Sequence, residues 1–204
     1  MIKKTDVVII GAGPVGLFAV FELGLLNINV HLVDNLDKPG GQCAELYPEK
    51  PIYDIPARPK ITAQQLIDDL LKQIDPFKPT FHFNQQVNSI KKIEEGWILE
   101  TSEKIKIECK CIIIAAGAGS FVPRKLPIEG IESLENKRVL YSIKDKSILQ
   151  DKDILIAGGG DSALDWTNEL AKISNVTLIH RRKEFRAAPD SVSKMIELEK
   201  QNKI

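Results

Sequence analysis

Two short glycine-rich stretches hold the residue types through which this chain could do chemistry. The first, Gly11-Ala12-Gly13-Pro14-Val15-Gly16, is followed at Asp34 by a carboxylate; the second, Gly158-Gly159-Gly160-Asp161-Ser162-Ala163, is followed by the basic cluster His180-Arg181-Arg182. Both match G-x-G-x-x-G/A, with alanine at the third small position of the second copy. In such a turn the first glycine permits a sharp bend, the next lets backbone approach a pyrophosphate, and the last lets a helix pack closely on a strand. The anion then rests on unpaired N–H groups at the positive end of that helix. Asp34 can accept hydrogen bonds from a ribose diol. Guanidiniums at the equivalent place can clamp a 2'-phosphate that a carboxylate would repel, so Arg181, Arg182 and Arg186 point to a phosphorylated ribose; the plainer alternative is a solvated basic run.

The elements needed to position these groups are present around both motifs. Val7-Val8-Ile9-Ile10 reads as a strand, the segment to about Leu26 as an amphipathic helix, and Val30-His31-Leu32-Val33 as a second strand ending on Asp34. In the second copy Asp153 to Ala157 reads as a strand. Ala163, Leu164, Thr167, Leu170 and Ala171 form one helical stripe up to Ile173, and Val176 to Ile179 forms the next strand. A bare glycine motif is weak support. Here the strand, helix, second strand and terminal acid all fall where the mechanism requires them, whereas incidental glycines would leave Asp34 unexplained.

Between the motifs the chain supplies further candidates. Asn35 to Cys43 is a turn-rich loop at the ligand-binding edge of the sheet, where Gly40, Gly41 and Gln42 suit either backbone passing close to a bulky group or an ordinary type II turn. Ala44 to Pro56 reads as a long ordered loop, in which Tyr47 could offer an aromatic face to a ring system. Thr62-Ala63-Gln64-Gln65 has the form of a capping box, opening a helix that runs through Ile74 to Pro76. Thr80 to Phe83, Val87 to Ile93, Trp97 to Thr101 and Ile105 to Glu108 read as strands. Lys110 to Ala116 reads as a strand buried on both faces that closes the sheet begun at Val7, and Gly117 to Phe121 ends it. The proline-rich Val122 to Pro127 marks a boundary between a first domain, 1–121, and a second, 122–204. A final helix begins at about Asp190.

The composition, 43% hydrophobic with formal net charge zero over 204 residues, suits a globular protein and argues against nucleic-acid or membrane-surface binding. The apolar runs are strand-sized and no signal-peptide pattern opens the chain, so a cytoplasmic setting is expected. Cys43, Cys109 and Cys111 are too few and too ill-spaced for a disulfide framework. Cys109 and Cys111, two apart in one strand, could be half of a metal site. They are better read as semi-buried strand cysteines, and no metal ligand set or catalytic triad is expected.

Taken together, Gly11 to Gly16, Gly40-Gly41-Gln42, Leu46 to Lys50, Gly117 to Leu126, Gly158 to Ala163 with Asp165-Trp166, and His180 to Ala187 resemble the thioredoxin-reductase-like ferredoxin--NADP reductases of bacteria. The resemblance implies an α/β architecture of two tandem Rossmann-like dinucleotide-binding folds, FAD first and NADPH second. It also implies a homodimer exchanging electrons with ferredoxin or flavodoxin. Carried over by residue, Gly11, Gly13, Pro14, Gly16, Gly41 and Gly117 belong to the FAD cradle and Asp34 to its adenosine ribose. Gln42 is a flavin-side contact, Tyr47 stacks on the isoalloxazine, Val87 meets the adenine through its backbone, and Phe121 lies near the flavin. Gly158, Gly160, Asp161, Ser162 and Ala163 take the NADPH pyrophosphate, and His180, Arg181, Arg182 and Arg186 its 2'-phosphate side.

Thioredoxin reductases carry a redox C-x-x-C in the second domain, whereas Val139 to Asp145 contains no cysteine. An electron-carrier acceptor is therefore expected in place of a disulfide. The family's chains are longer and return to close the FAD domain with a G-D segment that has no counterpart before Ile204. The expectation is a C-terminally truncated reductase whose second fold is incomplete and leaves apolar sheet surface uncovered. The alternatives are a non-catalytic nucleotide-binding remnant and, behind it, a thioredoxin-reductase-like enzyme without the C-x-x-C pair.

Overall fold

Strands whose successive side chains are buried in opposite directions need a cover on each face, and the first part of this chain supplies both covers. The computed structural model describes residues 2–119 and 125–204, and the chain divides into two compact units, Met1–Lys144 and Asp145–Ile204. The first unit runs β1 (Ile2–Lys4), β2 (Val7–Ile10), α1 (Pro14–Leu25), β3 (Val30–Val33), α2 (Gly41–Leu46), β4 (Pro51–Ile52), β5 (Ile61–Thr62), α3 (Ala63–Ile74), β6 (Thr80–His82), β7 (Val87–Ile93), β8 (Gly96–Thr101), β9 (Lys106–Cys109) and β10 (Cys111–Ile114). The second runs β11 (Asp153–Ala157), α4 (Asp161–Leu170), β12 (Asn175–Ile179) and α5 (Pro189–Lys200).

The central sheet of the first unit is parallel, in the order β10-β2-β3-β6. On one face Val7, Ile9, Val30 and Leu32 pack against Leu17 and Val20 of α1 and Ile67, Leu70 and Ile74 of α3. On the other, Val8 and Val33 pack against Leu99, Ile107 and Cys109 of the meander β7-β8-β9, to which β1 adds a parallel strand. Each fully buried Ile or Leu here contributes roughly 1.5–3 kcal/mol of transfer free energy, enough for the layers to hold the loops at the strand ends. The capping box forms as expected: Gln65 N donates to Thr62 Oγ1 at 3.2 Å and Thr62 N to Gln65 Oε1 at 3.1 Å.

Four expectations need correction. The segment after Gly13 is not amphipathic: α1 buries Gly16, Leu17, Val20 and Gly24 while Val15, Phe18 and Leu25 stay exposed, because Glu22 is its only charged residue and apolar side chains lie on every face. β10 is an edge strand. Its middle residues Ile112 and Ile113 pack on opposite cores, but Cys111 and Ile114 are exposed, Ile114 by 73%, since only β2 pairs with it among the described residues. Cys109 and Cys111 do not share a strand face: Cys109 ends β9, buried, and Cys111 starts β10, exposed, because the chain steps from one sheet to the other at Lys110. Asp6 fastens that step by accepting Lys110 N and Cys111 N on its carbonyl and Lys110 Nζ on its carboxylate.

The loop expected from Ala44 to Pro56 is shorter than its sequence suggests, since Gly41–Leu46 is helical and Pro51–Ile52 pairs with Ile61–Thr62. Residues 125–144 fall within the first unit, where Ile143 N donates to the Leu46 carbonyl and Lys144 pairs with Glu45 at 2.7 Å. Residues 120–124, including half of the expected interdomain boundary, lie outside the described residues.

In the second unit β11 and β12 pair in parallel from Asp153↔Asn175 to Ala157↔Ile179. Leu164, Thr167 and Leu170 of α4 and Met195 of α5 form the buried face. Two bonds lock α5 to α4: Asn168 Nδ2 donates to the Ser191 carbonyl at 3.0 Å and Ser191 Oγ to Asp165 Oδ1 at 3.0 Å. A single strand-helix-strand unit leaves its other sheet face bare, as expected, with Leu155 63% and Ile179 49% exposed.

Candidate functional site

The first glycine turn is shaped by collisions that any side chain would cause. Gly11 has φ +104°, and a Cβ there would strike the Ala115 carbonyl at the end of β10. A Cβ on Gly16 would strike the Gly11 carbonyl, so the third glycine lets α1 close on the turn. Helix α1 starts at Pro14 with Gly13 as N-cap and no capping side chain. Its first-turn amides are left for an anion.

Asp34 is tied into this turn. Its Oδ2 accepts Ala12 N at 2.6 Å and its Oδ1 accepts Leu36 N at 2.9 Å. Each carboxylate oxygen keeps a lone pair for a ligand hydroxyl. The following loop folds back as well, with Gly40 N donating to the Ala12 carbonyl at 2.8 Å. Gly40 and Gly41 are left-handed, at φ +119° and +55°, and a Cβ on Gly41 would lie 3.1 Å from Gly13 Cα. The close approach that the glycine pair allows is therefore to the first glycine turn itself.

These pieces border one cleft of about 440 Å³, within the range of small-molecule sites. Of the residues singled out from sequence, Gly11, Gly13, Pro14, Asp34, Gly41, Gln42, Tyr47, Val87 and Gly117 line it; Gly16 is buried beneath the turn. Phe121 lies outside the described residues. Sequence reasoning missed Leu36, Cys43, Gln85 and Ala115, which also line the cleft. A loop leucine or a glutamine before a strand carries no spacing signal.

At one end of the cleft, partial burial raises the pKa of the Cys43 thiol and the Tyr47 phenol, and a hydrogen bond joins the two. The Lys50 ammonium lies 5.5 Å from the centre of the Tyr47 ring, a distance suited to a cation–π contact that steadies the ring.

The second glycine turn opens α4 at Gly160, again without a capping side chain. Asp161 Oδ1 accepts Ala188 N at 2.8 Å, so this acid organises the chain before α5. Arg186 N donates to the Gly159 carbonyl at 2.8 Å, which brings the 180–186 loop onto the turn. Within that loop the His180 ring stacks on Phe185 with centroids 5.1 Å apart and bonds to the Glu184 carbonyl at 3.1 Å. A Cβ on Gly159 would run into that imidazole. Gly158 packs near Ala163, Ser162 is exposed at the start of α4, and Arg181, Arg182 and Arg186 are exposed and outside every ion pair among the described residues. The arrangement offers backbone donors beside a cationic rim, a match for a phosphorylated dinucleotide.

Among known proteins, residues 5–203 match the family model for pyridine nucleotide-disulphide oxidoreductases. The chain is 57% identical over 205 residues to a protein of Mesorhizobium japonicum named ferredoxin--NADP reductase, covering 100% of this chain and 60% of that one. It is 59% identical over 197 residues to a protein of the same name from Nitrobacter winogradskyi, covering 96% and 58%. The chain thus spans about 60% of the length of these curated relatives. Among solved structures, a T. acidophilum thioredoxin reductase matches with TM-score 0.82 at 23% identity over 98% of this chain and 62% of its own, a likeness of fold alone. Lactococcus lactis thioredoxin reductase matches with TM-score 0.77 at 26% identity over 93% and 60%.

Proposed function

The chain belongs to the pyridine nucleotide-disulphide oxidoreductase family, and on that footing we propose that it serves electron transfer between NADPH and ferredoxin or flavodoxin through FAD; its relatives are named ferredoxin--NADP reductase. The observation that carries this reading is the contrast between the two strand ends. β3 leads into a carboxylate held beside the first glycine turn, and β12 leads into a loop with three exposed arginines, of which Arg186 bonds to the second turn through its backbone. One site is thereby suited to an unphosphorylated ribose and the other to a 2'-phosphate.

The residues present fit FAD in the first unit. The uncapped end of α1 and the bare Gly11 and Gly13 backbone receive a pyrophosphate, and Asp34 holds a ribose diol. Gln42, Tyr47 and Gly41 border the flavin end, Val87 the adenine end, and Gly117 closes the wall. Gly158, Gly160, Asp161, Ser162 and Ala163 serve NADPH in the same way, with His180, Arg181, Arg182 and Arg186 toward its 2'-phosphate. Bound FAD would supply the redox chemistry, accepting a hydride from a nicotinamide and releasing electrons singly to a carrier. The protein's own part is to bind, orient and exclude water, so no residue is assigned as a catalytic acid or base.

The proposed roles run in chain order, FAD with residues 1–121 and NADPH with the unit that starts at Asp145, while residues 125–144 pack with the first unit. A homodimer and a cytoplasmic setting belong to the same proposal; no helix among the described residues is long and apolar enough to cross a membrane. The test is a visible spectrum of the purified protein after incubation with FAD, before and after anaerobic NADPH. A flavin band that NADPH bleaches, and that ferredoxin restores, is the expected result. A protein that is colourless once unbound FAD has been removed would overturn the proposal.

A further inference from the structure

Tyr47-Pro48-Glu49-Lys50 makes a turn in which Lys50 N donates to the Tyr47 carbonyl at 3.0 Å, with proline at the position whose fixed φ suits it. The start of α3 holds this turn in place, since Gln64 N donates to the Pro48 carbonyl at 2.8 Å and Ala63 N to the Lys50 carbonyl at 3.1 Å. The turn brings the lysine back over the residue that opens it, so that the ammonium stands over the Tyr47 ring, 5.5 Å from its centre. The phenol at the tip of that ring shares a hydrogen bond with the Cys43 thiol of α2. Tyr47 and Cys43 border the cleft, whereas Lys50 does not. The cation therefore grips the ring without entering the space a ligand would take.

We propose that Lys50 is a positioning residue for flavin stacking in the first unit, acting through the Tyr47 ring that it and Cys43 hold. The inference rests on the FAD reading and goes beyond it, because that reading assigns Tyr47 to the flavin and gives Lys50 no part. A tyrosine side chain turns about its χ torsions, and ordering a loose ring when the ligand arrives costs affinity. Here the thiol fixes the tip of the ring and the ammonium fixes its face, so the ring meets a planar ligand already oriented. The lysine need not touch the flavin to have this effect. A cation–π contact at a half-buried ring is worth about fivefold in a binding constant.

The experiment is a double-mutant cycle on the full chain. FAD is titrated into the apoprotein, and both its dissociation constant and the emission of the bound flavin are read, because an aromatic ring stacked on the isoalloxazine quenches that emission. Lys50→Met is expected to weaken FAD binding about fivefold and to brighten the bound flavin, while Lys50→Arg, whose guanidinium keeps the contact, stays within about twofold of the wild type in both readings. In a Tyr47→Leu background Lys50→Met is expected to change neither reading, which separates action through the ring from a general loosening of the turn. If Lys50→Met fails to fold, Lys50→Gln, equally uncharged, takes its place and must give the same two changes; if Tyr47→Leu binds no flavin, the arginine rescue decides. A Lys50→Met variant that matches the wild type, an arginine variant as impaired as Lys50→Met, or an equal loss in the Tyr47→Leu background overturns the assignment and leaves the FAD reading intact. A wild type that binds no FAD overturns both.

Discussion

Replacing Asp34 by asparagine should weaken the protein even when no nucleotide is bound. Both carboxylate oxygens are already engaged, one by Ala12 N at 2.6 Å and the other by Leu36 N at 2.9 Å, so the side chain holds the glycine turn against the loop that follows β3. Asparagine keeps one carbonyl acceptor, but its amide nitrogen must then face a backbone N–H. A hydrogen bond to a charged acceptor is worth about 1.5–3 kcal/mol, and the variant loses one, weakens the other and sets donor against donor. We expect about 2 kcal/mol of destabilisation in the apoprotein. At a denaturant slope near 2 kcal/mol per molar, that is a shift of about 1 M in the urea midpoint. Trp97 lies in the first unit and Trp166 in the second, so a Trp166→Phe background makes fluorescence report the first unit alone. An Asp34→Asn midpoint within about 0.3 M of the parent, alongside lost FAD binding, would show that the carboxylate acts on ligand only and would refute the reasoning.

Other perturbations probe the remaining contacts. Gly11→Ala should cost more than about 3 kcal/mol or abolish folding of the first unit, because φ is +104° and the obstacle is the Ala115 backbone, whereas Gly159→Ala should cost about 1 kcal/mol, because the His180 ring it meets can swing away; denaturation of the two variants checks the ranking. Arg181→Ala with Arg182→Ala should raise the KM for NADPH by about 10- to 100-fold and leave that for NADH nearly unchanged; equal losses for both cofactors would count against a 2'-phosphate clamp. His82 is buried beside His31, 3.1 Å apart, with Lys3 adding positive charge, and desolvation first and Lys3 second lower its pKa from 6.5 to about 4. The neutral pair is therefore favoured in the folded state, so its contribution is complete above pH 6.5 and is lost as pH falls toward 4, by at most about 3 kcal/mol; a His82→Leu variant should flatten that stretch of the stability profile, and an unchanged profile would refute the assignment.

The parts of the fold that were legible in the sequence are those imposed by short-range geometry. The turn at Gly11 requires a glycine, a strand of fixed rise carries the chain to Asp34, and Thr62 and Gln65 satisfy each other within one helical turn. What was hidden depends on which layer a residue meets. Lys110 to Ala116 reads as one apolar run, yet the change of sheet at Lys110 separates Cys109 from Cys111, and no periodicity records a neighbour that ends. The apolar residues of α1 say that the helix wants cover, without saying which of them the sheet takes. Gln85 was silent for the same reason, since a polar residue before a strand is ordinary until its backbone N–H is found on the Asp34 carbonyl. Asp34 is the instructive middle case. Its position was readable from spacing, but its two backbone bonds were not, and they make the carboxylate part of the scaffold. On the proposed reading the carboxylate would serve folding and ribose binding at once, and only the apoprotein can separate the two demands.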